Sequence, residues 1–461
     1  MFKHFPFRPG SIALAMGLAL SACGQVRDQP TRLAAPVTAL PAMKAFGVER
    51  IDPPRRANAD MVDDFLELSF EMESGRALPV LTRFEGPVTL ALTGPVPPSA
   101  SGEVDKLLTR FRREAHIDIT RVSDPATARI VVEFVPQSRL RNAAPDAACF
   151  VAPNVTGWSD YLSARRTDRA DWTKLTTRTQ AGVFIPADAS PQEIRDCLHE
   201  ETAQAMGPLN DLYRLPDSVF NDDNFHGALT GFDMLMLRTY YAPELSSGMT
   251  RAEVAERLPK IIDRLNPPGR NVARKPAGPT TADWRDAINT ALSSGSAETR
   301  ANAARRAVTI AQRNGWVDAR LAFSHFTYAR TAMAVDPEAA VTSLMSARRL
   351  YEGLPSCATH KAHVDMQLAA FALTSGDAQE TLRLVEPELQ EAKRWQNAAL
   401  LSTLLMMKAE ALDRLGRAEE AGAVRLDSLA WARYGFGADE AVRARLSEIS
   451  ALGPVSGRKK G

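Results

Sequence analysis

The sequence predicts an α+β domain followed by an all-α helical solenoid. Three observations carry that reading. β-rich stretches alternate with amphipathic helix in the first half, a proline-rich break divides the chain, and helix breaks recur every 40 residues in the second half.

The chain starts with a targeting pattern. "MFKHFPFRPG" carries Lys3 and Arg8, "SIALAMGLAL" is apolar, and "LSAC" (Leu20 to Cys23) follows. The apolar core is too short to span a bilayer, and a basic start with small residues before the cut describes a signal peptide over 1–22. Leu-Ser-Ala-Cys resembles the bacterial lipobox, which implies that Cys23 is the lipidation site and that acyl chains such as palmitate anchor the protein. Gly24 after it, rather than aspartate, implies the outer membrane, facing the periplasm.

Residues 23–45 read as a tether, with prolines and no sustained period. The first domain is expected over 46–265. "FEGPVTLALTG", "ARIVVEFVP" and "AGVFIP" read as strands. "GEVDKLLTRFRREA" has helical spacing, with Val104, Leu107, Leu108 and Phe111 on one face. "SPQEIRDCLHEETAQAMG" reads as a helix of about four turns, with Ser190 and Glu193 as a capping box, Pro191 in the first turn and Gly207 at the end. Further helices are expected from Thr230 and, with Glu253 completing a second capping box, from Thr250. A proline-rich linker occupies 266–280, helical repeats 281–450 and a basic tail 451–461.

In the second half "SAETRA" begins at Ser296, "DPEAAV" at Asp336, "GDAQET" at Gly376 and "GRAEEA" at Gly416, each between two helices. Leu292, Ala332, Ala372 and Leu412 precede the breaks, and Ala304, Leu344, Leu384 and Val424 follow them in register. "AEALDRLGRAEEA" resembles the tetratricopeptide-repeat turn, which implies divergent repeats and a protein partner docked on them.

The net charge of +1 gives no pull toward nucleic acid, so no nucleic-acid partner is expected. No phosphate loop, dinucleotide fingerprint or serine-hydrolase elbow stands in the chain. Apart from Cys23 there are three cysteines; in an oxidising compartment Cys149 and Cys197 are the disulfide candidate and Cys357 is left over.

Chemistry concentrates on "CLHEETAQAMGPLND" (Cys197 to Asp211). His199-Glu200 opens an H-E-x-x-H zinc motif, but Ala203 stands where the second histidine belongs. One residue on, the stretch resembles the longer metzincin motif. The resemblance puts Glu200 on the first histidine, Glu201 on the catalytic glutamate, Gln204 on the second histidine and Gly207 on the glycine. Asn210, or Asp211 beside it, takes the third ligand position. "SVF" (Ser218 to Phe220) stands where a Ser-x-Met turn is found, and "LTGFDMLMLRTYY" resembles the closing helix. The same stretches resemble a bacterial lipoprotein family, domain-of-unknown-function family 2927, for which the resemblance implies a fold more than a reaction.

Glu200, Gln204, Asn210 and Asp211 offer only oxygens and amides, which suits a hard divalent metal better than zinc. His199 is expected off the cleft face, one residue being a rotation of about 100°. "NDDNFHG" (Asn221 to Gly227) lacks the EF-hand spacing and reads as a turn. Two functions remain: a binding or scaffolding lipoprotein, or a periplasmic metal-dependent hydrolase (peptidase) with Glu201 as its base and a non-standard ligand set.

Overall fold

The structure is a computed structural model that describes residues 39–47, 52–145 and 147–452. The signal peptide, Cys23, the tether as far as residue 38 and most of the basic tail lie outside the described residues. The chain forms two compact units whose main division falls between Pro279 and Thr280; residues 39–47 and Ser190–Gln192 group with the second.

The first unit is α/β. Its helices are α1 (Asn58–Phe70), α2 (Pro98–Glu114), α3 (Gln137–Ala143), α4 (Trp158–Ala164), α5 (Pro191–Met206), α6 (Gly231–Tyr240) and α7 (Arg251–Leu265). Five strands, β1 (Val88–Thr93), β2 (Ile119–Arg121), β3 (Ile130–Val135), β4 (Phe150–Pro153) and β5 (Ala181–Pro186), form one sheet in the order β2-β1-β3-β5-β4. All neighbours are parallel except the edge pair β4 and β5, where Val151 faces Val183. β5 is buried along its whole length and reads as an unbroken apolar run, as a strand covered on both faces must.

Alternate side chains feed two cores. Val132, Phe134, Val151, Val183 and Ile185 join Phe65 of α1, Phe111 of α2, Leu198 of α5 and Ile262 of α7 in the larger one. Val135, Phe150, Ala152 and Phe184 point to the other face, where Leu140 of α3 and Trp158 of α4 cover them. The expected strands are present. β2 and β4 were not anticipated, being too short to show a period. α2 buries Val104, Leu107, Leu108 and Phe111 as expected. The proline-rich segment lies along α1, where Arg274 pairs with Asp60 and Asp63.

The second unit is all-helical. α8 (Ala282–Leu292) and α9 (Ala297–Arg313) form a hairpin, as do α10 (Ala319–Ala332) and α11 (Pro337–Glu352), and α15 (Ala398–Arg414) and α16 (Ala418–Phe436). Between them α12 (Ala358–Ser375) pairs with a broken partner, α13 (Ala378–Val385) and α14 (Glu388–Arg394); Pro387 at the break supplies no N–H to a continuous helix. α17 (Asp439–Ser450) closes the array. Ser296, Asp336 and Asp377 cap the second helices with their side chains, which explains the recurring breaks. Residues 39–45, read as tether, and 46–47, read as the start of the first domain, run along α16 instead. Phe46 stacks on Trp431 with ring centroids 4.6 Å apart, and the Lys44 N–H donates to the Ala430 carbonyl at 3.0 Å.

Candidate functional site

α5 carries the candidate site, and its ends are fixed by chemistry the sequence supplies. Cys197 on this helix is bonded to Cys149, just ahead of β4, and Cys357 is buried and takes no part in the disulfide. The helix stops at Met206. Arg178, fully buried, donates from its guanidinium to the carbonyls of Gln204, Ala205 and Gly207, so the orphan acceptors of the last turn are satisfied by one cation. Gly207 is needed for space: a Cβ there would meet the Tyr240 ring at 3.0 Å.

After Gly207 the chain turns back against α1. Arg214 donates to the buried Asp64 at 2.8 Å and pairs with Glu67 at 3.0 Å. The Ser218–Phe220 turn rests on the first turn of α6. Asp233 accepts from the Ser218 hydroxyl, from Val219 N–H at 3.1 Å and from Thr230 N–H at 2.7 Å, within a Thr230–Asp233 capping box. Burial opposes ionisation and pushes the Asp233 carboxyl up to about 7.

His199 is turned to the core. Its Nδ1 accepts from Leu229 N–H at 3.1 Å, and burial, followed by the nearby Arg110, Arg195 and Lys106, holds it well below the usual histidine range. It is therefore a neutral hydrogen-bond acceptor in a basic setting. Glu200 and Glu201 face the opposite environment. Burial, then the charges of Glu200 and Asp211, push the Glu201 carboxyl well up. Asp211 is likewise pushed up by burial, then by Glu73, Asp222 and Glu200. Glu73 responds to burial, Asp222, Glu200 and Glu201 in the same direction, eased by a hydrogen bond with Asp211.

The groups so assembled are carboxylates. Glu73, Asp211 and Asp222 bring oxygens within 4.8 Å of one another. Of the residues expected at the site, Glu200, Glu201 and Asp211 act on one another within this acidic group. Gln204 is buried on the same helix, its Nε2 without a hydrogen-bond partner among the described residues. Asn210 is turned elsewhere: its amide donates to the Glu67 carbonyl at 3.1 Å and accepts from Asp211 N–H. Asp211, not Asn210, therefore stands with the acidic group.

Two members were missed. Glu73 lies beyond α1 in a segment closed by the Glu71–Ala77 bridge, far from α5 in sequence. Asp222 sits in "NDDNFHG", which does form a turn, with Asp223 N–H donating to Asn221 Oδ1, yet directs this one carboxylate to the cluster. The run of acids was the available signal for it.

Residues 58–260 match the family described as "Protein of unknown function (DUF2927)", so the match covers most of the α/β unit. Comparison with curated proteins and with solved structures gives no match.

Proposed function

We propose that the chain is a lipid-anchored protein of the cell envelope that works by binding or scaffolding. Cys23 carries the anchor, in the outer membrane facing the periplasm. The α/β unit is a metzincin-like domain without a zinc centre, and the helical hairpins are tetratricopeptide-like and dock a protein partner. The metzincin likeness is supported by a mixed sheet with an antiparallel edge strand, a helix that stops just before Gly207, and a Ser218–Phe220 turn seated on Asp233. The hairpin interval of about 40 residues supports the repeat likeness.

One observation carries the non-catalytic reading. Zinc, which the likeness implies, takes nitrogen and sulfur ligands by preference, and the cleft offers oxygens. His199, the histidine on this helix, is committed to Leu229 and faces arginines and a lysine. Without an acidified water, a buried glutamate is a poor hydrolytic base.

Restoring nitrogen ligands tests this. The triple variant Glu200→His, Gln204→His, Asp211→His is expected to bind zinc at least about tenfold more tightly than the parent protein. Equal uptake would place the zinc ligands elsewhere and reopen the peptidase reading. For the anchor, Cys23→Ser is expected to move the protein from membrane to soluble fractions; continued sedimentation with outer membrane would refute lipidation.

A second reading, a metal-dependent hydrolase, is favoured by the placement of Glu201 beside Asp211 where a general base would stand. It displaces the first if a divalent cation elicits peptide hydrolysis that Glu201→Gln abolishes.

A further inference from the structure

The acidic cleft is built in a way that its own hydrogen bonds do not complete. Asp211 is 9% exposed and its Oδ1 has no hydrogen-bond partner among the described residues. Glu201 is 1% exposed, its Oε2 has none, and the charges that act on it are those of Glu200 and Asp211. A buried carboxylate oxygen with no donor is costly, and a buried group of like charges is more so. Either protons or a cation must resolve it.

Geometry favours the cation. Two oxygens that ligate one ion at about 2.4 Å can be at most about 4.8 Å apart, the range of calcium–oxygen distances being about 2.3–2.6 Å. The carboxylates of Glu73, Asp211 and Asp222 meet that limit. They also come from three separate segments: the turn after α1, the return after α5, and the loop before α6. We propose that Glu73, Asp211 and Asp222 hold one hard divalent cation of the calcium class, clamping these three segments together, with Glu201 lying against the site. Oxygen-only coordination with several carboxylates selects calcium over zinc, and ligands carried on three separate segments suit calcium's flexible coordination better than the near-ideal octahedron that magnesium demands.

This cation goes beyond the binding or scaffolding role and requires no catalysis. The full chain, purified in mild detergent and stripped with EDTA, is titrated by calorimetry with calcium, magnesium, manganese or zinc chloride, and its Tm is followed in parallel. Calcium is expected to bind one per chain and to raise the Tm by about 5 °C at saturation. Asp211→Asn and Asp222→Asn are each expected to weaken calcium binding at least about tenfold while keeping or raising the Tm of the stripped protein, since each removes one charge from a group of like charges. That pairing separates a lost ligand from a damaged fold. No saturable calcium binding, tighter binding of zinc than calcium, or unchanged affinity in both variants would overturn the proposal.

Discussion

His199 and Glu200 are adjacent in sequence and lie in opposite electrostatic surroundings, which is what one residue of helical rotation does. His199 stays neutral in the fold because burial, then three cationic neighbours, lowers its pKa. Its unfolded counterpart takes a proton below about pH 6.5. The folded group does not, so stability contributed by the neutral histidine is present at higher pH and is lost as pH falls, by up to about 1.4 kcal/mol per unit. His199→Asn retains an acceptor for Leu229 N–H but not the titration. The stability advantage of the wild type over this variant should therefore shrink between pH 7.5 and 5; a constant difference in urea unfolding across that range would contradict the assignment. Asp233 is a structural acid of the same site. Replacing it with alanine strands three buried donors and should cost about 2–4 kcal/mol by chemical denaturation, with a cost under about 1 kcal/mol arguing against its role in seating the turn. The helical register on α5 was legible in the sequence because spacing along one helix is local. Glu73 was not, since only the tertiary fold brings a loop beyond α1 to a helix so far downstream, and Asn210 gave way to Asp211 because the direction of a side chain after a helix stop is set by what it bonds.

At the scale of elements, α5 is tied to the sheet region by the Cys149–Cys197 bond, which closes a loop over a separation of 48 residues. Loop-closure entropy puts the loss on removing it with Cys149→Ser, Cys197→Ser at about 4 kcal/mol. A Tm unchanged by the double substitution would mean that the bond does not constrain the unfolded chain. In the helical unit α15 and α16 approach backbone to backbone. A Cβ on Gly435 would lie 2.5 Å from the Ala399 amide nitrogen, so Gly435→Ala should force the pair apart and destabilise the unit by about 1–3 kcal/mol. The breaks at Ser296 and Asp336, and the Thr250–Glu253 capping box of α7, were readable in advance because each side chain acts on backbone only three residues away. The break at Pro387 was not, although the proline is visible, because a pattern with a fixed interval invites an unbroken second helix. Nor could the sequence show that residues 39–47 run along α16, since a short extended segment without periodicity looks alike whether it packs or not.

For the molecule as a whole, the division at Pro279–Thr280 follows a stretch, 272–279, that is exposed and outside helix and strand. Limited trypsin treatment should cut first at Arg270 or Arg274 and leave two resistant fragments; initial cleavage inside the helical array would contradict two separately compact units. No helix among the described residues is long and apolar enough to cross a membrane, so the proposed attachment rests on Cys23. On the proposed metzincin likeness, carboxylates stand at this site in place of a nitrogen-based zinc set. The most direct measurement is elemental analysis by mass spectrometry of the full chain, purified from its membrane without added metal or chelator. The account predicts zinc far below one per chain; stoichiometric zinc, retained through gel filtration, would contradict it.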